Sequence, residues 1–381
     1  MTITLMSFNI EQLPSIVHES AMAKEALGRI PFDLTGITSL IRQRLGSIAL
    51  PEPPEVRQRR ARRTGRYICD HAPDVVVLSE AFNEQAWQMF GDMKNPEQYP
   101  YQTDVVGFHC GSGGNWTSME GSCSNDLDKV NGGVVILSKF PIEESHQLVF
   151  HSVHGDTADT HANKGAVLAK MATRDGIVWL VGTHLQADQT PDATTQATQD
   201  VRFDQLREIT AWVSRKVGEV SGETAPVIIA GDLNFEKYRT IPTDGHAPSG
   251  MENEGALREA ERILGDGQLC SDGVKSPRRY SYDAVENSRA RANAGKGFEK
   301  YQNILDYVGW IGMPSADRNV SIDLAYLSTG DGAESLSDHQ PVLAEVNLYT
   351  KGGNPRTGDI LADMIRQFER ARDEQQRRRN S

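Results

Sequence analysis

Most features that mark a common functional class are missing from this sequence. Its four cysteines, Cys69, Cys110, Cys123 and Cys270, form no Cys-x-x-Cys pair and no zinc pattern. Cys110 and Cys123 bracket a Gly/Ser-rich loop; pairing in an oxidising compartment and idle free thiols both fit that spacing. No run approaches the ~20 apolar residues needed to span a bilayer. Met1 to Asn9 has neither a basic leader nor a long apolar run, so it reads directly as a strand. As written, the chain is expected to be soluble and cytoplasmic, or secreted if a leader is removed ahead of this numbering. Positive charge is scarce too. With 40 Lys+Arg against 52 Asp+Glu, the formal charge of −12 argues against a surface built for non-specific nucleic-acid binding. A carboxylate-rich metal site would give the same balance. There is no internal repeat.

What is present is enough apolar residue, 38% of 381, for one large or two smaller cores, and many turns from 34 Gly and 17 Pro. Ile3 to Ile10 alternates as a first strand carrying Asn9. Residues 13–50 show helical apolar spacing (Ile16-Val17, Ala21-Met22, Leu27, Ile37, Leu40-Ile41, Leu45) and are expected to be a packed helical insertion. An Arg-rich helix follows over Val56 to Asp70, its charge run expected to be a solvated face. Pro73 to Glu80 reads as a buried strand ending in an acid, 107–131 as a polar loop, and Gly132 to Ser138 as a strand. Lys164–Lys170 and Ile177–His184 suggest a hairpin, and Gln199–Val217 an amphipathic helix. Ile228-Ile229-Ala230-Gly231-Asp232-Leu233-Asn234 reads as a strand over 226–234. Residues 239–302 look loop-rich, and Ile304–Val308 and Ser337–Ala344 supply the last strands. The tail, 351–381, is expected to carry a basic amphipathic helix docking on the domain. Strands alternating with helices indicate an α/β protein.

Seven positions share one logic. Asn9, Glu80, His184, Asp232, Asn234, Asp306 and the Asp338-His339 pair each close an apolar strand. Alternation would put Asp232 and Asn234 on one face of their strand, although Gly-Asp-Leu-Asn alone fits an Asx turn as well. Together the seven suggest a pocket at one edge of a sheet core. Carboxylates and amides without clustered His or Cys favour Mg²⁺, with Mn²⁺, Ca²⁺ or Co²⁺ as alternatives. A His beside an Asp, with a further Asp to orient it, makes a general base for water.

The motifs Phe8-Asn9, Leu78-Ser79-Glu80, Gly182-Thr183-His184-Leu185, Gly231-Asp232-Leu233-Asn234, Leu305-Asp306-Tyr307 and Ser337-Asp338-His339 resemble, in order, those of the endonuclease/exonuclease/phosphatase superfamily. Within it, bacterial-type neutral sphingomyelinases are resembled in particular. That likeness rests on Tyr99-Pro100-Tyr101-Gln102-Thr103, Gly132-Gly133-Val134 with Ser138-Lys139-Phe140-Pro141-Ile142, Asn163-Lys164-Gly165, His184-Leu185-Gln186-Ala187, and Arg202 with Gln205-Leu206. The resemblance implies a four-layer α/β sandwich, two packed mixed β-sheets flanked by helices. It assigns residues 1–350 to the catalytic domain and implies Mg²⁺-dependent hydrolysis of sphingomyelin to ceramide and phosphocholine.

Carried over, Glu80 with Asn9 would ligate the metal and His339 would be the general base, positioned by Asp306. Asp232 and Asn234 would orient water and bind phosphate or a second divalent ion. His184 would stabilise phosphoryl charge, Asp338 would be a metal or supporting group, and Lys164 a phosphate contact or a structural salt bridge. Expected partners are a phospholipid at a membrane surface, met transiently by a monomer, without strong nucleic-acid binding. Relatives insert an aromatic hairpin into membrane; residues 309–336 hold Trp310 and Tyr326 but no adjacent aromatic pair. A nuclease, a phosphoesterase acting on inositol phosphates, and an inactive binding module are the competing readings.

Overall fold

Alternation along one strand explains the layering. The computed structural model describes residues 1–13, 52–111, 113–126, 129–155, 157–188, 195–221, 227–271, 276–312, 318–330 and 335–350. In β1 (Thr2–Gln12), Ile3 and Leu5 join one apolar cluster while Met6, Phe8 and Ile10 join another. Successive side chains of a strand face opposite ways, so β1 is buried on both faces and must lie between two layers.

In chain order there follow α1 (Pro54–His71), β2 (Val75–Ala81), α2 (Glu84–Asp92), β3 (Tyr101–Gln102), β4 (Ser118–Gly121), β5 (Val135–Ser138), β6 (Ile142–Val149), β7 (Gly165–Thr173) and β8 (Gly176–His184). Then come α3 (Thr195–Ser221), β9 (Val227–Asp232), β10 (Tyr238–Ile241), β11 (Ala247–Glu252), α4 (Glu254–Ile263) and β12 (Gln268–Cys270). The rest are β13 (Tyr282–Asp283), α5 (Ser288–Ala294), β14 (Gln302–Asn303), β15 (Asp306–Ile311), β16 (Arg318–Tyr326) and β17 (Val342–Thr350).

One sheet runs β16-β17-β1-β2-β5-β3 and the other β12-β15-β9-β8-β7-β6-β4. Both are mixed: β1/β2, β8/β9 and β4/β6 are parallel, the other pairs antiparallel. The two sheets pack face to face. A Cβ on Gly182 of β8 would come within 3.0 Å of Val77 and 3.4 Å of Ile136 in the opposite sheet, so glycine lets the layers close there. On the outer side of the first sheet, Ala61, Tyr67 and Ile68 of α1 and Ala86, Met89 and Phe90 of α2 cover Met6, Phe8, Val76 and Leu78. α2 starts where Asn83 accepts the Ala86 N–H. α3 brings Phe203, Leu206, Ile209, Trp212 and Val213, and α4 brings Ala256, Ala260 and Ile263, against the second sheet. The result is the expected four-layer α/β sandwich.

Five expectations need correction. The strand at 226–234 ends at Asp232, and Asp306 opens its strand rather than closing one. The arginine-rich helix does not present a wholly solvated face, because Arg57 and Arg60 are buried. Arg60 donates to the carbonyls of Ile10, Glu11 and Leu336. The 107–131 loop contains β4 and is closed by a Cys110–Cys123 disulfide across a Cα–Cα distance of 5.4 Å. The 239–302 stretch carries β10 to β14, α4 and α5. The helical insertion at 13–50, beyond Leu13, and the tail at 351–381 lie outside the described residues. No described helix is long and apolar enough to cross a membrane.

Candidate active site

Register brings the polar positions together. β8 and β9 run parallel with His184 opposite Asp232, and β15 runs antiparallel to β9 with Asp306 opposite Asp232. An antiparallel neighbour delivers its first residue where a parallel one delivers its last. Three polar side chains therefore reach one edge of the second sheet. Gly231, at φ 153°, makes this possible, since a Cβ there would sit 1.9 Å from the Thr183 carbonyl.

The first sheet contributes from across the sandwich. Asn9 is buried on β1, and its amide nitrogen donates to Glu80 Oε1 (3.0 Å) and to Asp232 Oδ2 (3.0 Å). One carboxamide thus joins two carboxylates from different sheets. Alternation after Val77 and Leu78 would turn Glu80 toward the helix layer. A left-handed backbone (φ 57°) breaks the alternation and lets its carboxylate meet Asn9, a costly conformation for a non-glycine residue of a kind that clusters at functional sites. Asn234 is also left-handed (φ 54°). Its N–H donates to Asp232 Oδ1 (3.1 Å) and its side chain to the Leu185 carbonyl (3.2 Å). The Asx turn and the site are the same feature, and strand alternation does not explain Asn234's placement.

His339 precedes β17 and is held edge-on to the Tyr282 ring at 5.2 Å. Its Nδ1 lies 2.7 Å from Asp306 Oδ2, a short charge-assisted contact, and its Nε2 lies 3.7 Å from Asp232 Oδ2. Burial opposes charge on this imidazole, but the carboxylates of Asp306, Asp232 and Asp338 outweigh it and hold its pKa well above the ordinary value. His184 is the opposite case. Burial, then the Lys164 cation and His339, depress it well below the usual range, so it is neutral at pH 7. Its Nε2 faces Lys164 Nζ (3.2 Å) and Asp232 Oδ2 (3.8 Å), while its buried Nδ1 has no partner among the described residues.

Lys164 forms a buried ion pair: its ammonium donates to Asp159 Oδ2 (2.9 Å) and the Leu185 carbonyl (2.9 Å). Burial, reinforced by Asp338, pushes the Glu80 carboxyl up to about 8. Burial and then Asp306 raise Asp232 to about 6.

This excess of buried carboxylate is what a bound cation relieves. Asp232, Asp306 and His339 bring ligand atoms within 4.8 Å of one another. Because Asp306 and His339 already hydrogen-bond each other, that pair is better suited to base chemistry. Glu80, whose carboxylate takes only the Asn9 amide among the hydrogen bonds of described residues, is the fitter metal ligand, and its oxygen donors suit a hard divalent ion.

The sequence pattern missed several neighbours. Glu11, left-handed at φ 48° and buried, accepts from Arg289 and Asn293. Asp338 Oδ2 accepts from Asn293 (3.0 Å). Arg289 and Asn293 sit four apart on α5, so they share a helix face; that spacing was the available signal, in a segment without apolar periodicity.

Comparison with known proteins agrees with this architecture. A family model described as "Endonuclease/Exonuclease/phosphatase family" matches residues 6–252. A sphingomyelinase C of Bacillus cereus is 37% identical over 238 residues, covering 62% of this chain and 63% of the relative. Sphingomyelinase C 2 of Leptospira interrogans is 38% identical over 317 residues, covering 80% of this chain and 45% of that protein. The chain thus matches less than two thirds of either relative's length. A beta toxin from Staphylococcus aureus carrying two substitutions, solved with bound magnesium ions, superposes with a TM-score of 0.63 at 23% identity, covering 92% of this chain and all of the toxin chain (100%). The fold, the family match across well over half of the sequence and the conjunction of buried polar groups agree: this chain belongs to the endonuclease/exonuclease/phosphatase family.

Proposed function

We propose that this protein is a divalent-metal-dependent phosphodiesterase of the sphingomyelinase type, hydrolysing sphingomyelin to ceramide and phosphocholine. One observation carries the reading: the Asn9 amide bridges Glu80 and Asp232 beside a buried His339–Asp306 pair. Glu80 and Asn9 would hold Mg²⁺. When bound, that ion would polarise a phosphoryl oxygen, and its charge would offset the carboxylates that keep His339 protonated.

His339 Nε2 takes a proton from water, with Asp306 fixing the ring through Nδ1. Asp232 orients the water. The water oxygen attacks phosphorus, the bond from phosphorus to the ceramide oxygen breaks, that oxygen takes a proton from solvent, and His339 afterwards returns its own proton to solvent. Neutral His184 and Asn234 face the phosphate as its charge develops. Lys164 supports this wall from beneath, and Asp338 supports His339 without ligating the metal.

Residues 1–350 form the catalytic unit, with 13–50 inserted and 351–381 appended. The substrate is met transiently at a membrane surface by a monomer. The Cys110–Cys123 disulfide favours an oxidising compartment, and we propose export in place of the cytoplasmic location read from the N-terminus. The test is a panel of sphingomyelin, phosphatidylcholine, DNA and inositol phosphates, each with Mg²⁺ and with EDTA. Metal-dependent release of phosphocholine from sphingomyelin is expected. Cleavage of DNA or inositol phosphates with sphingomyelin untouched would replace this reading by a nuclease or phosphatase one.

A further inference from the structure

Three carboxylates crowd the site's outer edge: Glu80, Glu11 and Asp338. Each would repel the others and compete for the same cation, yet two of them are already engaged. Arg289 Nε donates to Glu11 Oε2, and the Asn293 amide spans Glu11 Oε1 (2.8 Å) and Asp338 Oδ2 (3.0 Å). The Asp338 N–H donates to Glu11 Oε2 (3.1 Å). Arg289 also reaches Glu52 Oε1 (2.8 Å), whose other oxygen takes Arg60 Nε (3.0 Å). Arg60 in turn donates to the carbonyls of Ile10 (2.8 Å), Glu11 (2.6 Å) and Leu336 (3.0 Å). Asn287, which caps α5, donates to the Ser337 carbonyl (2.8 Å), and Ser337 Oγ donates to the Asn9 carbonyl (2.6 Å).

These bonds tie four pieces of chain into one clamp: the end of β1 with Asn9 and Glu11, the 336–339 loop with Asp338 and His339, the start of α1, and α5. The first two carry the residues assigned above to the metal and to the base. From this we infer that Arg289 and Asn293 are positioning residues that occupy Glu11 and Asp338. They leave Glu80 as the carboxylate open to the divalent ion and fix the His339 loop against Asn9. Arg289 acts as a resident cation on the outer edge, so the metal has one competent carboxylate there instead of three. A clamp built only for stability would not discriminate among the acids. This one satisfies two and, among the described residues, leaves the third with a lone amide.

The inference rests on the phosphodiesterase reading for its kinetic arm, whereas its metal arm stands without a substrate. Full-length wild type, Arg289→Ala, Arg289→Lys and Asn293→Ala are compared by circular dichroism, by Mg²⁺ titration calorimetry without substrate, and by kcat and KM on sphingomyelin micelles. Losing the guanidinium removes the cation from Glu11, which faces Glu80, so Arg289→Ala should bind Mg²⁺ at least about threefold tighter. Its kcat should fall by about 10²-fold as the base loop loses its fixed position, with KM little changed, and Arg289→Lys should recover most of the loss. Asn293→Ala, at a partly exposed site, should lower kcat about tenfold while folding normally, and it decides the matter if Arg289→Ala does not fold. Mg²⁺ affinity unchanged or weaker in folded Arg289→Ala, or wild-type kcat in Asn293→Ala, would overturn the inference. If wild type leaves sphingomyelin intact, the phosphodiesterase reading fails while the calorimetry still judges the clamp.

Discussion

Asp306→Asn is the substitution that most cleanly separates chemistry from fold. The side chain keeps its shape, and the backbone N–H of residue 306 keeps its bond to Ser281 Oγ (3.1 Å), so the strand edge should stay in place. What changes is the 2.7 Å contact to His339 Nδ1. A carboxylate can only accept there, so Nδ1 carries the proton and Nε2 is the atom facing Asp232 and the water. A carboxamide can present its NH₂ instead, which favours the opposite tautomer and blocks Nε2 as a base. Removing one partner of a buried charged pair costs about 3–5 kcal/mol, which corresponds to about 10²- to 10³·⁵-fold in rate if it falls wholly on the transition state. The assay is kcat for phosphocholine release at saturating Mg²⁺, with a melting curve to confirm folding. A folded Asp306→Asn variant that keeps more than about a tenth of wild-type kcat would refute the tautomer argument.

Three further outcomes follow from the same geometry. Burial raises Glu80 from 4.5 to about 8, and neighbouring carboxylates overcome burial to raise His339 above 6.5. A raised group contributes stability that is present below its unfolded pKa and lost as pH climbs through the folded one. In EDTA the melting temperature should therefore fall between pH 6.5 and 8, and Mg²⁺ should flatten the decline; a level EDTA profile over that window contradicts the electrostatic picture. Lys164→Met leaves Asp159 buried without its cation (2.9 Å) and should cost about 3–5 kcal/mol in denaturant unfolding. An unchanged midpoint would show that the pair contributes no net stability. Replacing Cys110 and Cys123 by Ser opens a loop with a sequence separation of 13 and should cost about 2–4 kcal/mol under oxidising conditions. Equal stability of variant and wild type in oxidising buffer would show that the bridge is dispensable.

Much of the fold could be read from apolar alternation. β1, β2, β5, β7, β8 and β9 are buried strands whose patterns are near-continuous because both faces are covered, and α3 carries a clear apolar stripe. The polar residues that end those strands were legible because a carboxylate after four apolar residues is costly without a reason. The alternation rule failed at Glu80 and Asn234, where left-handed backbone re-aims the side chain; such local strain has no sequence periodicity. Arg60 read as a solvated charge because, besides Glu52, its partners are backbone carbonyls 49, 50 and 276 residues away. Glu11 was invisible for the same reason, and the four-residue spacing of Arg289 and Asn293 pointed to no partner: only the folded chain brings α5 to the end of β1. The cysteine pair was ambiguous until the loop geometry put Cys110 and Cys123 within bonding reach.

In the proposed reaction, the Asn9–Glu80–Asp232 cluster and the His339–Asp306 pair together cleave a sphingomyelin phosphodiester. Its most direct test is phosphocholine release from sphingomyelin micelles by wild type and Glu80→Gln, followed across a Mg²⁺ titration from EDTA upward. Release by wild type should appear with Mg²⁺ and vanish with EDTA, and a folded Glu80→Gln variant should stay inactive at Mg²⁺ levels saturating the wild type. Release that persists in EDTA, or a Glu80→Gln variant matching wild type throughout the titration, would contradict it.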